Sequence, residues 1–344
     1  MSSLYRIYNQ TTLPDLSFPS LSREDHNLAV VTLTARYRLP APGRVYEGRL
    51  ELAAEQHPAP LADVWSGEPG HSSLRWEGQA VYCRPGTDIH VHGHACPPGG
   101  RPAKAVCVGV RVGRCQVRLR AVGERRWIRA TGELHATPAL PFDRMPLCWE
   151  RAYGGTTPGG KIVAQNPVGV GLYDSAKAAT DAALPNLLPL DEDLRSWRSA
   201  IRPVGLGPIA RHWQPRVRYA GTYDQAWQDH RAPLWPADMD LRLFSAAAPG
   251  LRAESPLRGG EEVILEGMHP DGAWAFRLPT HDFILLEGAS RHRALALDVV
   301  DIDTEARALT MVWRGAAPLE RLGVTELRVR DALPWEAHAG EALQ

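Results

Sequence analysis

The chain has 344 residues, and its 39 Lys+Arg balance its 39 Asp+Glu, which gives a formal net charge of zero and a pI near 7.2. That balance disfavours a dedicated nucleic-acid-binding protein, which normally carries a large positive excess. A hydrophobic content of 44% with 23% charged residues excludes disorder as the main state, and 31 Gly with 29 Pro predict many turns and a β-rich fold.

Alternating strands dominate the first 130 residues. Along Ala29–Leu39 every second residue is apolar, which predicts a half-buried strand. Asp88–Ala95 follows the same rule, with Ile89 and Val91 pointing inward and the polar residues pointing outward. Arg114–Val122 repeats the pattern, and Gly-containing connections separate these strands at hairpin spacing.

The middle of the chain loses this alternation. Pro138–Gly171 is rich in Pro and Gly but also in large apolar residues, which predicts a long ordered loop. Asp191–Ile201 is predicted as a helix, because acids fill its first turn, arginines follow, and the apolar residues form one stripe. A second short helix is predicted to begin at Thr222, which has capping-box spacing to Gln225, and to end before Pro233.

Strands return in the last third of the chain, where Asp303–Ala306 is predicted to form a hairpin turn. We therefore expect a mainly-β protein with antiparallel sheets, sandwich or barrel-like, two or three short helices and a long ordered central loop. We expect one domain over 15–330, built from a β half at 1–137, a loop and helix region at 138–235 and a second β half at 236–335. The late strands are Glu262–Gly267, Ala273–Leu278, Phe283–Leu286, Ala294–Ile302, Arg307–Trp313 and Thr325–Arg330.

Targeting signals are not apparent. Residues 1–18 lack a basic start followed by an apolar core, and the apolar runs are far shorter than the ~20 residues of a membrane span. The five cysteines include no CxxC pair, which disfavours a disulfide framework or a zinc ribbon. These features predict a cytoplasmic protein with free thiols and no membrane partner.

Basic residues concentrate in Arg101–Arg129, and the first half of the chain carries a basic excess that the second half offsets. Several guanidinium groups would share one face of a hairpin there. Such a face can bind nucleic acid or an acidic protein, or it can be a solvated face whose partners lie in the acidic second half. We favour the last two interpretations, because aromatic residues for base stacking are not interleaved.

Three histidines, His90, His92 and His94, recur at every second position and would share one face of a strand. Such spacing can bind Zn²⁺ or another transition metal. The alternative is a polar strand face that contacts water or a partner protein. No cofactor is predicted, and a metal-binding protein or metal-dependent enzyme remains the alternative hypothesis.

Other catalytic or nucleotide signatures are weak. Gly155–Lys161 matches GxxxxGK, but Ile162 stands where a phosphate-binding loop needs Ser or Thr. No GxSxG occurs, and Cys148 lies between Leu147 and Trp149, which predicts a buried inert thiol. We therefore predict that the protein is not an enzyme. Three carboxylates near the hairpin turn are expected to face water, namely Asp298, Asp301 and Asp303.

The central loop and the second helix carry a recognisable pattern, together with Thr87–Ala95 and Val312–Arg314. Its residues in the loop are Asp143, Arg144, Pro146, Glu150, Arg151, Tyr153, Gly154, Gly155, Asn166, Pro167, Gly169 and Gly171. Those near the second helix are Gly221, Thr222, Tyr223, Asp224 and Trp227. Over about residues 15–330 the chain resembles the bacterial family of domain of unknown function 2169.

The resemblance implies a function. Members of that family are often encoded beside type VI secretion genes and are thought to load a toxic effector onto the secretion spike. It therefore implies a cytosolic, non-enzymatic adaptor or chaperone whose partners are an effector protein and a spike component. His90 and His92 are not part of the family pattern.

The loop motif itself suits a structural role. Asp143, Arg144, Glu150 and Arg151 are expected to form hydrogen-bonded pairs that order the loop, because an unpaired buried charge is costly. Its glycines suit turns with positive φ. The motif would then maintain the fold, and the partner would be contacted elsewhere.

Overall fold

A computed structural model describes residues 4–288, 291–319, 324–333 and 336 of the chain. Two short α-helices, α1 (Ala176–Ala179) and α2 (Gln225–His230), lie among many strands. The strands are β1 Leu4–Asn9, β2 Asp15–Leu21, β3 Asn27–Arg38, β4 Arg44–Val45, β5 Val64–Trp65, β6 Leu74–Trp76, β7 Asp88–His92, β8 His94–Ala95, β9 Ala105–Val112, β10 Cys115–Val122, β11 Trp127–Ala130, β12 Glu133–Ala136, β13 Met145–Pro146, β14 Tyr153–Gly154, β15 Val170–Gly171, β16 Leu187–Pro189, β17 Glu262–Glu266, β18 Trp274–Arg277, β19 Phe283–Glu287, β20 Arg291–Ala294, β21 Ala296–Asp303, β22 Ala308–Pro318 and β23 Val324–Asp331. The predicted mainly-β fold is confirmed.

Three larger sheets carry the architecture. A five-stranded sheet has the order β2-β3-β22-β21-β7, a six-stranded sheet β16-β10-β9-β17-β18-β4 and a four-stranded sheet β1-β23-β19-β20. Most neighbours are antiparallel, and β1–β23, β21–β7 and β18–β4 are parallel. Each of these sheets combines strands from both ends of the chain. The division of the chain at 137 and 236 remains a prediction.

One hydrophobic cluster is shared by the three sheets. Leu33 of the five-stranded sheet, Val110 of the six-stranded sheet and Leu327 of the four-stranded sheet all lie in it, each at most 2% exposed. The predicted alternation of β3 is confirmed on this side. The other side of β3 is also buried, at Val30, Thr32 and Thr34, so the prediction of a half-buried strand is wrong.

The predicted helix at Asp191–Ile201 is wrong, because this segment is irregular. The Asp193 carboxylate accepts a hydrogen bond from the neighbouring amide of Leu194 at 2.8 Å and from Arg120 Nη2 at 3.1 Å. Short acidic side chains that bond to nearby backbone compete with helix formation. Leu194 and Ile201 are nevertheless buried in one cluster, so the apolar residues pack as a loop.

The second predicted helix exists, but its start is shifted. Helix α2 begins after Asp224, whose side chain accepts from the amide of Trp227 at 2.8 Å. Thr222 instead donates its hydroxyl to Asp238 at 2.7 Å. The predicted capping box from Thr222 to Gln225 is therefore wrong, because a carboxylate distant in sequence engages the threonine.

Two further findings concern membrane-spanning helices and the state of the cysteines. Within the described ranges, no helix has the length and apolar character needed to cross a membrane. All five cysteines are free thiols.

Candidate functional site

The second face of the five-stranded sheet is polar and buried, which contradicts the sequence-based expectation. Asp88 and His90 of β7, together with Asp298 and Asp301 of β21, are each at most 2% exposed. The sequence predicts that Asp88 and His90 point outward and that Asp298 and Asp301 face water. They are buried because segments distant in sequence cover this face, as the contacts of Glu77 and Ser245 below show.

Glu77 is the centre of a buried charge network on this covered face. Its Oε2 lies 2.7 Å from Arg84 Nη1, and its Oε1 accepts from Arg216 Nη2. The same Arg84 Nη1 is 2.8 Å from Asp88, which also accepts from the Ser245 hydroxyl at 2.6 Å. Burial alone would raise the pKa of Glu77, but the nearby arginines lower it to about 2. Its carboxylate is therefore held ionised.

A second buried pair joins Arg314 to Asp298. Arg314 also donates to the carbonyl of Val81 at 2.7 Å and to the Gln79 side chain at 2.8 Å. Burial raises the pKa of Asp298, although Arg314 and Arg84 counteract it. These contacts attach the segment around residues 77–84 to the sheet, so the network has a structural role.

The three histidines of the predicted metal-binding face do not converge. His92 Nε2 is 3.0 Å from Asp301 Oδ2, and His90 Nδ1 is 4.0 Å from the same oxygen. His94 lies beyond the break at Gly93 and contacts Glu305 at 2.9 Å. In the part of the chain that the structure describes, no three His, Cys, Asp or Glu side chains are placed to hold a metal ion. The metal hypothesis has no geometric support there.

Asn166 organises the central loop. Its side-chain amide, which is fully buried, donates to the carbonyl of Trp149 at 2.8 Å and to that of Tyr153 at 3.0 Å. A Cβ at Gly169 would lie 2.6 Å from the carbonyl oxygen of Ala152, so only glycine fits beside this turn. The family residues Asn166 and Gly169 therefore have a structural explanation.

Replacing Asn166 with alanine tests this role. We expect Asn166→Ala to lower the free energy of unfolding by about 1–3 kcal/mol, because the buried carbonyls of Trp149 and Tyr153 each lose a hydrogen bond, although that of Trp149 keeps the amide of Ala152. Urea unfolding followed by tryptophan fluorescence measures the change. Thr222→Val, which removes only an exposed hydroxyl contact to Asp238, is the control and is expected to cost much less. Equal stabilities of wild type and Asn166→Ala would contradict the assignment.

The charged motif residues pair outside the loop and not with one another. Arg144 bonds to Glu305, Arg151 to Glu124, and Glu150 accepts from the amide of Ser73 at 2.7 Å. The expected mutual pairs are therefore wrong. Each residue instead attaches the loop to a different part of the fold. Asp143 is exposed.

The other motif residues are placed as follows. Pro146 of β13 is paired in register with His94, and Gly154 and Gly171 are partners in β14 and β15. The residues with positive φ include Gly155, Gly171 and Gly221, and the Pro167 carbonyl accepts from Thr156. Tyr223 is 53% exposed and meets Trp227 edge-on at 4.6 Å.

An open groove lies beside the motif loop, with a volume of about 570 Å³. This size falls within the ~300–1,000 Å³ of ligand pockets, whose walls are mostly apolar. Arg202 is the one charged residue among its lining side chains. The lining is Trp149, Tyr153, Ile162, Val163, Gln165, Leu172, Ala200, Ile201, Arg202, Pro203, Ile209, Gln214, Pro215 and Pro249.

The surroundings of Cys148 and of Gly155–Lys161 argue against a reactive thiol and against a phosphate-binding loop. Burial raises the pKa of the Cys148 thiol to about 11, so it is protonated near neutral pH, as predicted for an inert thiol. Residues Gly155–Lys161 form a turn closed by a bridge between Thr156 and Ile162. Lys161 Nζ lies 3.9 Å from Asp174. A phosphate-binding loop would instead be followed by a helix.

Four of the nine basic residues between Arg101 and Arg129 form ion pairs with acids from the second half of the chain. Arg111 lies 2.7 Å from Glu262, and Arg118 lies 3.9 Å from Glu266. Arg120 lies 3.1 Å from Asp193. These pairs confirm the predicted intramolecular partners for Arg111, Arg118 and Arg120.

Sequence reasoning missed the central residues of the buried network, namely Glu77, Arg84 and Arg216. They are separated by up to 139 positions and follow no motif spacing. The one available signal was a charged residue inside an otherwise apolar or turn-rich segment, which is too common to be informative. Only the fold brings them together.

Comparison with known proteins gives one match. A family model described as an uncharacterized protein conserved in bacteria (DUF2169) matches residues 24–314. No curated protein and no solved structure matches the chain.

Proposed function

Because the chain belongs to this uncharacterized bacterial family, we propose that it is a non-enzymatic adaptor or chaperone. It binds an effector of a type VI secretion system and assists the loading of that effector onto the secretion spike. The secretion link follows the resemblance described above. In this proposal the protein acts in the bacterial cytoplasm, where an effector is held before export.

One structural observation supports a binding role. The polar groups of the buried charge network are paired with each other, as in Glu77–Arg84 and Arg314–Asp298, whose residues are all at most 6% exposed. The open groove beside the motif loop has instead a mostly apolar lining. Apolar concave surfaces favour binding, whereas catalysis needs positioned acids, bases or nucleophiles facing the substrate.

Secretion measurements test the proposal. Deleting the gene in its native host is expected to abolish secretion of one effector, while other effectors and the tube are still exported. The purified protein is expected to form a stable complex with that effector, and co-expression is expected to keep the effector soluble.

Complementation with the wild-type gene is the control for the deletion. Normal secretion of every effector in the deletion strain would overturn the proposal. So would the lack of a complex between the purified protein and each effector or spike component of that host.

A further inference from the structure

A second, smaller cavity lies over the polar face of the five-stranded sheet. Strand register places Arg36 of β3, Thr310 of β22, Asp301 of β21 and His90 of β7 side by side. Neighbouring strands are ~4.8 Å apart, so these four residues form one row about 14 Å long. A guanidinium, a hydroxyl, a carboxylate and an imidazole thus succeed one another across the sheet.

Part of this row lines a cavity of about 200 Å³. Arg75 and Trp76 line it from the opposite side, together with residues 57–60. Arg75 Nη2 is 2.5 Å from Asp303, and its Nη1 is 3.6 Å from Asp301. Nη1 is buried and makes no hydrogen bond within the described residues. Nη1 therefore lies behind the cavity wall, where Arg75 holds Asp301 and Asp303 in place and offers no exposed donor to a ligand.

Arg36 supplies the available cation of the cavity wall. Its backbone is bonded to the Gln56 side chain on both sides, at 2.8 Å and 2.7 Å, which fixes the strand. Among the residues that the structure describes, its guanidinium has neither an ion-pair nor a hydrogen-bond partner. Asp301, two strands away, is 2% exposed and contacts His92 and Arg75.

We propose that this cavity binds a small zwitterion of the amino-acid class. The carboxylate end of the ligand would be bound by Arg36 and the Thr310 hydroxyl, because a guanidinium group matches a carboxylate with two parallel hydrogen bonds. The ammonium end would lie against Asp301.

Charge and size select this class of ligand. Arg36 attracts a carboxylate and Asp301 attracts an ammonium group, so a zwitterion can make both contacts, whereas a simple anion or a simple cation makes only one. A volume of about 200 Å³ is below the ~300–1,000 Å³ of drug-sized ligands. A nucleotide is therefore too large, whereas an amino acid fits. This site is independent of the proposed adaptor function.

Titration calorimetry of the full-length protein tests the proposal, with each of the twenty common L-amino acids as the probe. We expect at least one to bind at millimolar concentration or below. Acetate and methylammonium, which each carry one end of the zwitterion, are expected to bind at least tenfold more weakly.

Arg36→Gln is the decisive variant, because its side chain has no partner to lose within the described structure. It is expected to weaken binding about tenfold or more through the loss of charge-assisted hydrogen bonds. Arg38→Gln, two positions along the same strand and outside the cavity lining, is expected to bind as wild type. Near-ultraviolet circular dichroism checks that both variants are folded.

Two results would overturn the assignment. One is that no amino acid binds the wild-type protein at millimolar concentration. The other is that folded Arg36→Gln binds with the same affinity as Arg38→Gln.

Discussion

Glu77→Gln is expected to destabilise the protein by about 3–5 kcal/mol, the cost typical of breaking a buried ion pair by removing one partner. Glu77 is 1% exposed, and its carboxylate contacts both Arg84 and Arg216. After the change Arg84 still has Asp88, but Arg216 keeps only carbonyl partners, such as that of Leu243 at 2.7 Å. A buried guanidinium would then lack its counter-charge. Urea unfolding monitored by tryptophan fluorescence measures the loss.

A matched exposed pair provides the control. Glu262 lies 2.7 Å from Arg111, with both side chains more than 40% exposed, so Glu262→Gln is expected to cost less than about 1 kcal/mol. If Glu77→Gln does not fold, the double variant Glu77→Leu, Arg216→Met provides a second test. Replacing both partners by apolar residues is often nearly neutral, so we expect it to recover much of the stability. A Glu77→Gln cost as small as that of Glu262→Gln would refute the network's role.

His90 is expected to make the protein lose stability between pH 6.5 and pH 4. Burial lowers the pKa of His90 from 6.5 to about 4. The unfolded chain therefore takes up the proton first as the pH falls, and protonation favours unfolding. The stabilisation is complete above pH 6.5 and declines until the folded imidazole itself protonates near pH 4. The shift corresponds to about 3 kcal/mol.

His90→Leu isolates this contribution, because leucine does not titrate. Unfolding free energies of the variant and of wild type are to be compared at several pH values from 8 to 4. The difference between the two is expected to change by about 3 kcal/mol in favour of the variant as the pH falls through this window. His212 and His281 also have pKa values lowered chiefly by burial, and they titrate equally in both proteins, so their effects cancel. A pH-independent difference would contradict the prediction.

Local alternation predicted the strands well, because the period of two between apolar residues is a property of the strand itself. Strands β3, β10 and β21 lie within two residues of their predicted bounds, whereas β22 runs five residues beyond its predicted end at Trp313. The predicted helix over Asp191–Ile201 does not form, because a long-range contact overrides the local pattern there. Its acidic residues have the composition of a helix start, but Arg120 of a distant strand binds Asp193.

The balanced charge and the motif of the central loop could be found in the sequence alone. Zero net charge follows from composition, and the motif residues carry the resemblance to the family whose model matches residues 24–314. Only the tertiary structure decided which side of each strand is covered. The local sequence pattern of a polar residue is the same whether its side chain faces water or a partner 200 residues away. The burial of His90 and Asp301 therefore depended on folding. The row from Arg36 to His90 arises because strand pairing joins residues whose separation along the chain has no periodic signal. Folding likewise brings Glu77, Arg84 and Arg216 together from segments outside the strands.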